Sequence, residues 1–240
     1  MNKLCIFSAG RGTRNNNVDG LHKALLPIEN KPTISHIIEK FSKDVEIVIA
    51  VGYKSEQIKS YLNEVHSDRN ITYVDVDNYD GVGSGPGYSL LCCKSHLQEP
   101  FIFTSVDTII GDDIDLMSVN ENWMGVSSVN LEESINYCLV DGSKYLNKLY
   151  YGTGDTAFIG MAGIYDYEDY FKSLEEHKII KDEYQVTHGF SGMGHIKLLE
   201  LKWYDTGNNK SYEEVRKDFP NEVVANKSDE VLFIDNGKVV

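Results

Sequence analysis

No apolar run in this sequence approaches the roughly 20 residues that a membrane-spanning helix needs. The short N-terminal apolar stretch gives way to glycine and charge too early for a secretory leader. Neither a membrane span nor export is expected. No C-x-x-C pair occurs among the four cysteines, Cys5, Cys92, Cys93 and Cys138, so their spacing suits neither zinc nor a disulfide framework. Cys5 and Cys138 lie in apolar runs and read as buried thiols, which fits a reducing cytoplasm. Positive charge is scarce: 23 Lys and Arg stand against 37 Asp and Glu, a net charge of -14. Such a surface argues against nucleic acid and anionic membranes as partners. A polyanionic substrate would need its own local cations. Several catalytic signatures are missing as well: no H-E-x-x-H, no Walker A loop, and no third glycine to complete a dinucleotide fingerprint.

The chain has 240 residues, 41% hydrophobic and 25% charged, enough to bury a substantial core. Lys3 to Ser8, Val45 to Val51, Ile71 to Val76 and Phe101 to Val106 read as strands. Between them, Pro32 to Phe41, Ser55 to Leu62 and Tyr88 to Leu97 have helical spacing. This alternation predicts an α/β fold with a mostly parallel, twisted sheet covered by helices on both faces. In such sheets ligands sit at the carboxyl ends of the strands. The loop after Ser8, Gly52-Tyr53 and Asp107 all fall there. The second half differs. Met124 to Asn130, Tyr137 to Val140, Lys144 to Tyr151, Ala157 to Tyr165 and His195 to Trp203 read as strands, with Asp141-Gly142 as a hairpin turn and Asp166 to Glu175 as a helix. No linker or repeat interrupts the chain. One domain over 1–240 is expected, with halves 1–122 and 123–240 sharing a sheet and the second forming a smaller antiparallel region. The final segment reads as a hairpin cut short, as in the N-terminal module of a longer protein.

Two segments carry chemistry on their own terms. Ser8-Ala9-Gly10-Arg11-Gly12-Thr13-Arg14 follows a strand directly. Its glycines allow backbone N–H groups close to a phosphate, and its arginines add charge-assisted contacts. An ordinary tight turn would look the same. His22-Lys23-Ala24-Leu25-Leu26-Pro27 sets a lysine before an apolar run, from which it could reach back to a polyphosphate; a solvated lysine is the plain alternative.

In this order the segments resemble the nucleotidyltransferases that make sugar nucleotides and CDP-alcohols, whose signature is an A-G-x-G-T-R loop followed by K-x-L-L-P-I. Gly85-Pro86-Gly87-Tyr88-Ser89-Leu90 resembles the family's loop beside the base, and Phe101 to Asp107 its strand ending in a metal ligand. Ala162-Gly163-Ile164-Tyr165 resembles its acceptor-side strand, and Trp203-Tyr204-Asp205-Thr206-Gly207 its late W-x-D-x-G element. The likeness spans roughly residues 3 to 217 and implies a GT-A or Rossmann-like nucleotide-binding fold. The plain second half is closest in look to the phosphocholine-cytidylyltransferase-like members. His22 stands where the family has proline, and the family's Glu-Lys-Pro triplet is missing near Lys148.

The resemblance implies that a phosphate monoester oxygen attacks the α-phosphorus of a nucleoside triphosphate, CTP favoured, and pyrophosphate leaves. Arg14, Lys23, Asp107 and Asp205 take the catalytic roles, with Mg²⁺ held by Asp107 and Asp205. Ser8, Ala9, Gly10, Arg11, Gly12, Thr13, Gly52, Gly85 and Ser89 are the nucleotide-binding residues. Tyr137, Lys148, Gly163 and Glu183, with Asp182, are the acceptor candidates for a sugar phosphate, phosphocholine-like, amino-acid or phosphonate substrate. A role in surface glycan or capsule decoration follows from the family alone. Oligomeric state is not readable. Two other readings compete: a glycosyltransferase using a D-x-D metal motif, for which Asp75-Val76-Asp77 and Asp113-Ile114-Asp115 qualify formally, and a non-catalytic nucleotide-binding module.

Overall fold

A computed structural model describes residues 1–12, 20–176 and 183–219, together with the backbone of 234–235 and 238–239. Four strands, β1 (Lys3–Ser8), β2 (Glu46–Val51), β3 (Ile71–Asp75) and β4 (Phe101–Ser105), form a parallel block in the order β4-β1-β2-β3. The near-continuous apolar runs of β1 and β2 reflect burial on both faces. Leu4 and Ile6 join the core beneath helices α1 (Thr33–Glu39) and α2 (Ser55–Val65). Cys5 and Phe7 point the other way, into the core beneath α3 (Pro86–Cys93) and α4 (Tyr167–Glu176). The alternation of β1 thus sorts the helices onto two faces, as period-2 geometry requires. Pro86 opens α3, where its missing N–H costs nothing.

Strand β5 (Thr108–Ile110) follows Asp107 almost at once. Beyond it come β6 (Trp123–Ser128), β7 (Leu139–Gly142), β8 (Leu146–Tyr150) and β9 (Thr156–Ile164). Strand β9 joins the two halves: it runs antiparallel to β4 on one side and to β6 and β7 elsewhere along its length. One sheet therefore runs through both halves of the chain. Its parallel block is continued by antiparallel pairs on the side of the second half, as expected.

Two details differ from expectation. Asp141 and Gly142 close β7 rather than forming the turn, which falls on Ser143 to Tyr145; the register shifts between Leu146 and Lys148. The late strand expected over His195 to Trp203 is two strands. Strand β10 (Lys197–Glu200) runs parallel to β6, and then the chain changes partner. The Lys202 carbonyl accepts the Gly111 N–H at 2.8 Å, and β11 (Trp203–Asp205) pairs antiparallel with β5. A continuous apolar pattern cannot reveal a change of pairing partner, because both strands keep one face buried. Among the described residues, no helix is long and apolar enough to cross a membrane.

Candidate active site

Strand β4 ends beside β1, with the Val106 N–H donating to the Phe7 carbonyl at 3.2 Å. Asp107 therefore emerges next to the loop that follows Ser8. The Lys23 ammonium donates to Asp107 Oδ2 at 2.9 Å, with both side chains mostly buried. The Ser105 hydroxyl donates to the other oxygen, Oδ1. Lys23 is aimed by a single 3₁₀ turn, Lys23–Leu25, which His22 caps: its Nδ1 accepts the Ala24 N–H at 3.0 Å. Gln57, from α2, fixes the approach by accepting the His22 N–H at 2.9 Å and donating to the Gly20 carbonyl at 2.8 Å.

The β5–β11 ribbon brings in the second carboxylate. Asp205 lies opposite Thr108, and the Thr206 N–H donates to the Asp107 carbonyl at 3.0 Å. Gly207 sits between the two side chains. A Cβ there would stand 3.0 Å from Asp205 Oδ1 and 3.2 Å from Asp107 Oδ2, so one point touches both carboxylates. Asp205 Oδ1 accepts the Gly207 N–H at 2.8 Å, and Oδ2 accepts the Tyr137 hydroxyl at 2.9 Å. Burial, and then the neighbouring charge of Asp107, raise the Asp205 carboxyl above its ordinary range. Hydrogen bonds from Gly207 and Tyr137 pull the other way.

The glycine loop frames this pair. Ser8 is fully buried, and its hydroxyl has no partner among the described residues. The Ala9 carbonyl accepts the Tyr53 N–H at 2.9 Å, and a Cβ on Gly52 would lie 2.9 Å from that same carbonyl. Ala9 and Gly52 are thus brought together, and Gly52 allows the close approach. Space beside Gly10 is open. Gly12 has φ +64° and lies against the Lys23 stem, so loop and lysine form one unit. Arg11 pairs with Asp80 at 2.8 Å and lies 5.4 Å from the centre of the Tyr53 ring. Thr13 and Arg14, like Asp182, lie outside the described residues. Gly85, at φ +126°, starts α3 against Tyr184.

Several residues expected at the ligand have partners within the protein. Ser89 is buried, and its hydroxyl turns back to the Gly85 carbonyl at 3.2 Å, because a serine in the first helical turn finds a partner on its own backbone. Tyr137 holds Asp205 through its hydroxyl and packs edge-on against Trp203, at 5.3 Å between ring centres. Gly163 lies inside the sheet, with the Trp123 indole filling the space a side chain would need: a Cβ would come within 2.0 Å of its nitrogen. Gly163 is packed against Trp123. Lys148 is exposed on β8, at the end of the sheet, with its ammonium 5.7 Å from the centre of the Tyr150 ring. Glu183 bridges to Ser84 beside Gly85, on the α3 side. Of the D-x-D candidates, Asp75 is paired with Lys59 at 2.9 Å and Asp77 with Tyr88 at 2.6 Å.

Sequence reading missed Ser105, Gln57 and Gly160, and gave Gly207, within the late W-x-D-x-G element, no role of its own. Gly160 sits at φ +78°, where β9 shifts register, beside Ser105 and Thr108. An isolated glycine inside an apolar strand was the available signal for such a bulge. No comparable signal marks Gln57.

Residues 4–120 match the family model of the MobA-like NTP transferase domain. This stretch, just under half of the chain, is similar to that family. Across the fuller length the chain is similar to a bifunctional protein GlmU from Methanococcus maripaludis, 27% identical over 98% of this chain and 61% of the relative. It spans only 30% of a second M. maripaludis GlmU, at 33% identity. Among solved structures it resembles a UDP-glucose pyrophosphorylase complexed with UDP-glucose, with TM-score 0.75, 23% identity and coverage of 91% of this chain and 98% of that one. It also resembles the CTP:phosphocholine cytidylyltransferase of Streptococcus pneumoniae, with TM-score 0.76, 18% identity and coverage of 91% and 99%. The nucleotidyltransferase resemblance drawn from the motifs holds at the level of family and fold. The family and these neighbours are enzymes of nucleotidyl transfer.

Proposed function

We propose that this chain transfers a nucleoside monophosphate, CMP in the favoured case, from the triphosphate to a phosphorylated small molecule. The acceptor is a phosphate monoester or a phosphonate, such as a sugar phosphate or a phosphocholine-like compound. Its activated product is of the kind used to decorate surface glycans. The observation that carries this reading is the meeting of Asp107, Asp205 and Lys23 beside the glycine loop, at the carboxyl end of the parallel block. Resemblance to cytidylyltransferases supports cytosine as the base.

In this reading an acceptor phosphate oxygen forms a bond to the α-phosphorus. The bond from that phosphorus to the bridging oxygen breaks, and pyrophosphate leaves with the electron pair. A phosphate monoester has its second pKa at about 6, so the nucleophile arrives ionised and needs no strong base. The protein's work is positioning and charge neutralisation. Lys23, with Arg14 from the loop, would face the β- and γ-phosphates. Backbone N–H groups of Gly10 and Gly12 would meet phosphate oxygens. Two convergent carboxylates are a hard-oxygen donor set that suits Mg²⁺ bound with water and substrate phosphates. Burial, and then the nearby Asp107 charge, raise Asp205, and a bound divalent cation would offset both. Asp107 and Asp205 would hold that ion, and it would supply electrophilic assistance at the α-phosphate.

The test is pyrophosphate release with Mg²⁺. CTP, UTP, GTP, ATP and dTTP are crossed against a panel of phosphate monoesters and phosphonates, with Asp107→Ala as control. Turnover with one triphosphate, lost in the variant, is expected. Consumption of a nucleotide sugar without pyrophosphate would overturn the reading in favour of glycosyl transfer.

A further inference from the structure

The Asp113-Ile114-Asp115 segment plays no part in the site above, yet it lies at the mouth of a cavity of about 310 Å³. That volume is within the range of small-ligand pockets. The floor is apolar: Ile37 and Phe41 from α1 and the following turn, Ile110 from β5, Leu116, and Met161 from β9. The rim carries three carboxylates, of Asp112, Asp113 and Asp115. Asp112 accepts the Lys202 N–H, and Asp115 accepts the Met117 N–H at 3.1 Å. Asp113 is exposed and has no hydrogen bond or ion pair to a described residue. Lys40 also lines the cavity, the Lys202 ammonium lies 5.4 Å from the centre of the Tyr204 ring, and two ammonium groups here meet backbone carbonyls. The Lys40 ammonium donates to the Asp112 carbonyl at 3.3 Å, and the Met1 ammonium donates to the Met117 carbonyl at 2.7 Å. The cavity therefore combines a ligand-sized apolar floor with a rim of excess negative charge.

We propose that this cavity is a second binding site, for a small organic ammonium whose apolar body fills the floor while its cation meets Asp113. The site shares a wall with the carboxylate pair. Ile110 lines the cavity and pairs with Trp203, and on the same ribbon Thr108 pairs with Asp205. Asp112 and Gly111 clamp both backbone groups of Lys202, the residue that leads into β11. An occupant of the cavity bears directly on the ribbon that sets the spacing of Asp107 and Asp205. Binding stands on the cavity alone; any effect on turnover rests on the nucleotidyl-transfer reading.

Phenethylamine is the probe, with 2-phenylethanol as its neutral counterpart and 3-phenylpropionate as its anionic one. Titrations are followed in full-length protein carrying ¹³C-methyl methionine, without nucleotide. Met117 and Met161 line the cavity, whereas Met124 lies in the core on the other face of the sheet. The amine is expected to shift the Met117 and Met161 methyls, leave Met124 in place, and bind more tightly than the alcohol. Asp113→Asn is expected to weaken the amine about fivefold, the effect of one exposed charge pair, and leave the alcohol unchanged. Binding that leaves Met117 and Met161 unmoved would overturn the site. Equal affinity for amine and alcohol, or no effect of Asp113→Asn, would overturn the ammonium class. Because the readout needs no turnover, its failure is separate from any failure of the proposed reaction.

Discussion

The capping histidine of the Lys23 turn makes a quantitative prediction about acid stability. The His22 side chain is only 1% exposed, and its Nδ1 is committed to the Ala24 N–H, so the ring proton resides on Nε2. Protonating Nδ1 would break the cap and bury a cation beside Lys23. Burial, reinforced by the Lys23 charge, lowers its pKa from 6.5 to about 3. In the unfolded chain the same group titrates near its ordinary value. Between those two values the unfolded chain takes up a proton that the folded chain refuses. Stability therefore falls as pH drops below about 6.5, and the loss is complete only below about 3. At about 1.4 kcal/mol per pKa unit, the loss assigned to His22 between pH 7 and pH 5 is about 2 kcal/mol. His22→Asn keeps a side-chain oxygen able to cap the turn but does not titrate. Urea unfolding at both pH values, with unchanged denaturant slopes, measures the effect. The variant is expected to lose about 2 kcal/mol less than the parent on acidification. Equal losses in the two proteins would refute the reasoning, whatever the variant's stability at pH 7.

Tyr137→Phe removes a donor from Asp205; kcat is expected to fall about tenfold or more, consistent with a hydrogen bond to a charged group. Because that donor lowers the Asp205 pKa, the acid limb of the pH–rate profile should move to higher pH; activity requires the ionised form and rises as pH climbs through that pKa. An increased KM for the acceptor with kcat unchanged would instead restore Tyr137 to acceptor binding. Lys23→Met removes the cation 2.9 Å from Asp107, and kcat/KM for the triphosphate should drop about a hundredfold, read by pyrophosphate release. Gly163→Ala drives a methyl into the Trp123 indole and should cost about 3 kcal/mol in unfolding experiments. A variant of normal stability with impaired acceptor binding would contradict the packing role.

By itself the sequence determined the parallel block, its helices and the placement of Asp107 at a strand end. The apolar runs at Lys3–Ser8 and Glu46–Val51 are local signals, and burial on both faces follows from their residues alone. The loop after Ser8 was equally legible as a loop at a strand end, because its glycines mark it locally. Tertiary structure decided what depends on remote partners. Asp205 reaches Asp107 only because the chain leaves β10 and pairs β11 with β5, a choice that period-2 patterning cannot express. Tyr137 becomes a holder of Asp205, and Gly163 a seat for Trp123, through neighbours far away along the chain. Side-chain type tells what a residue is able to do; the long-range pairing of strands sets which of those abilities it meets a partner for.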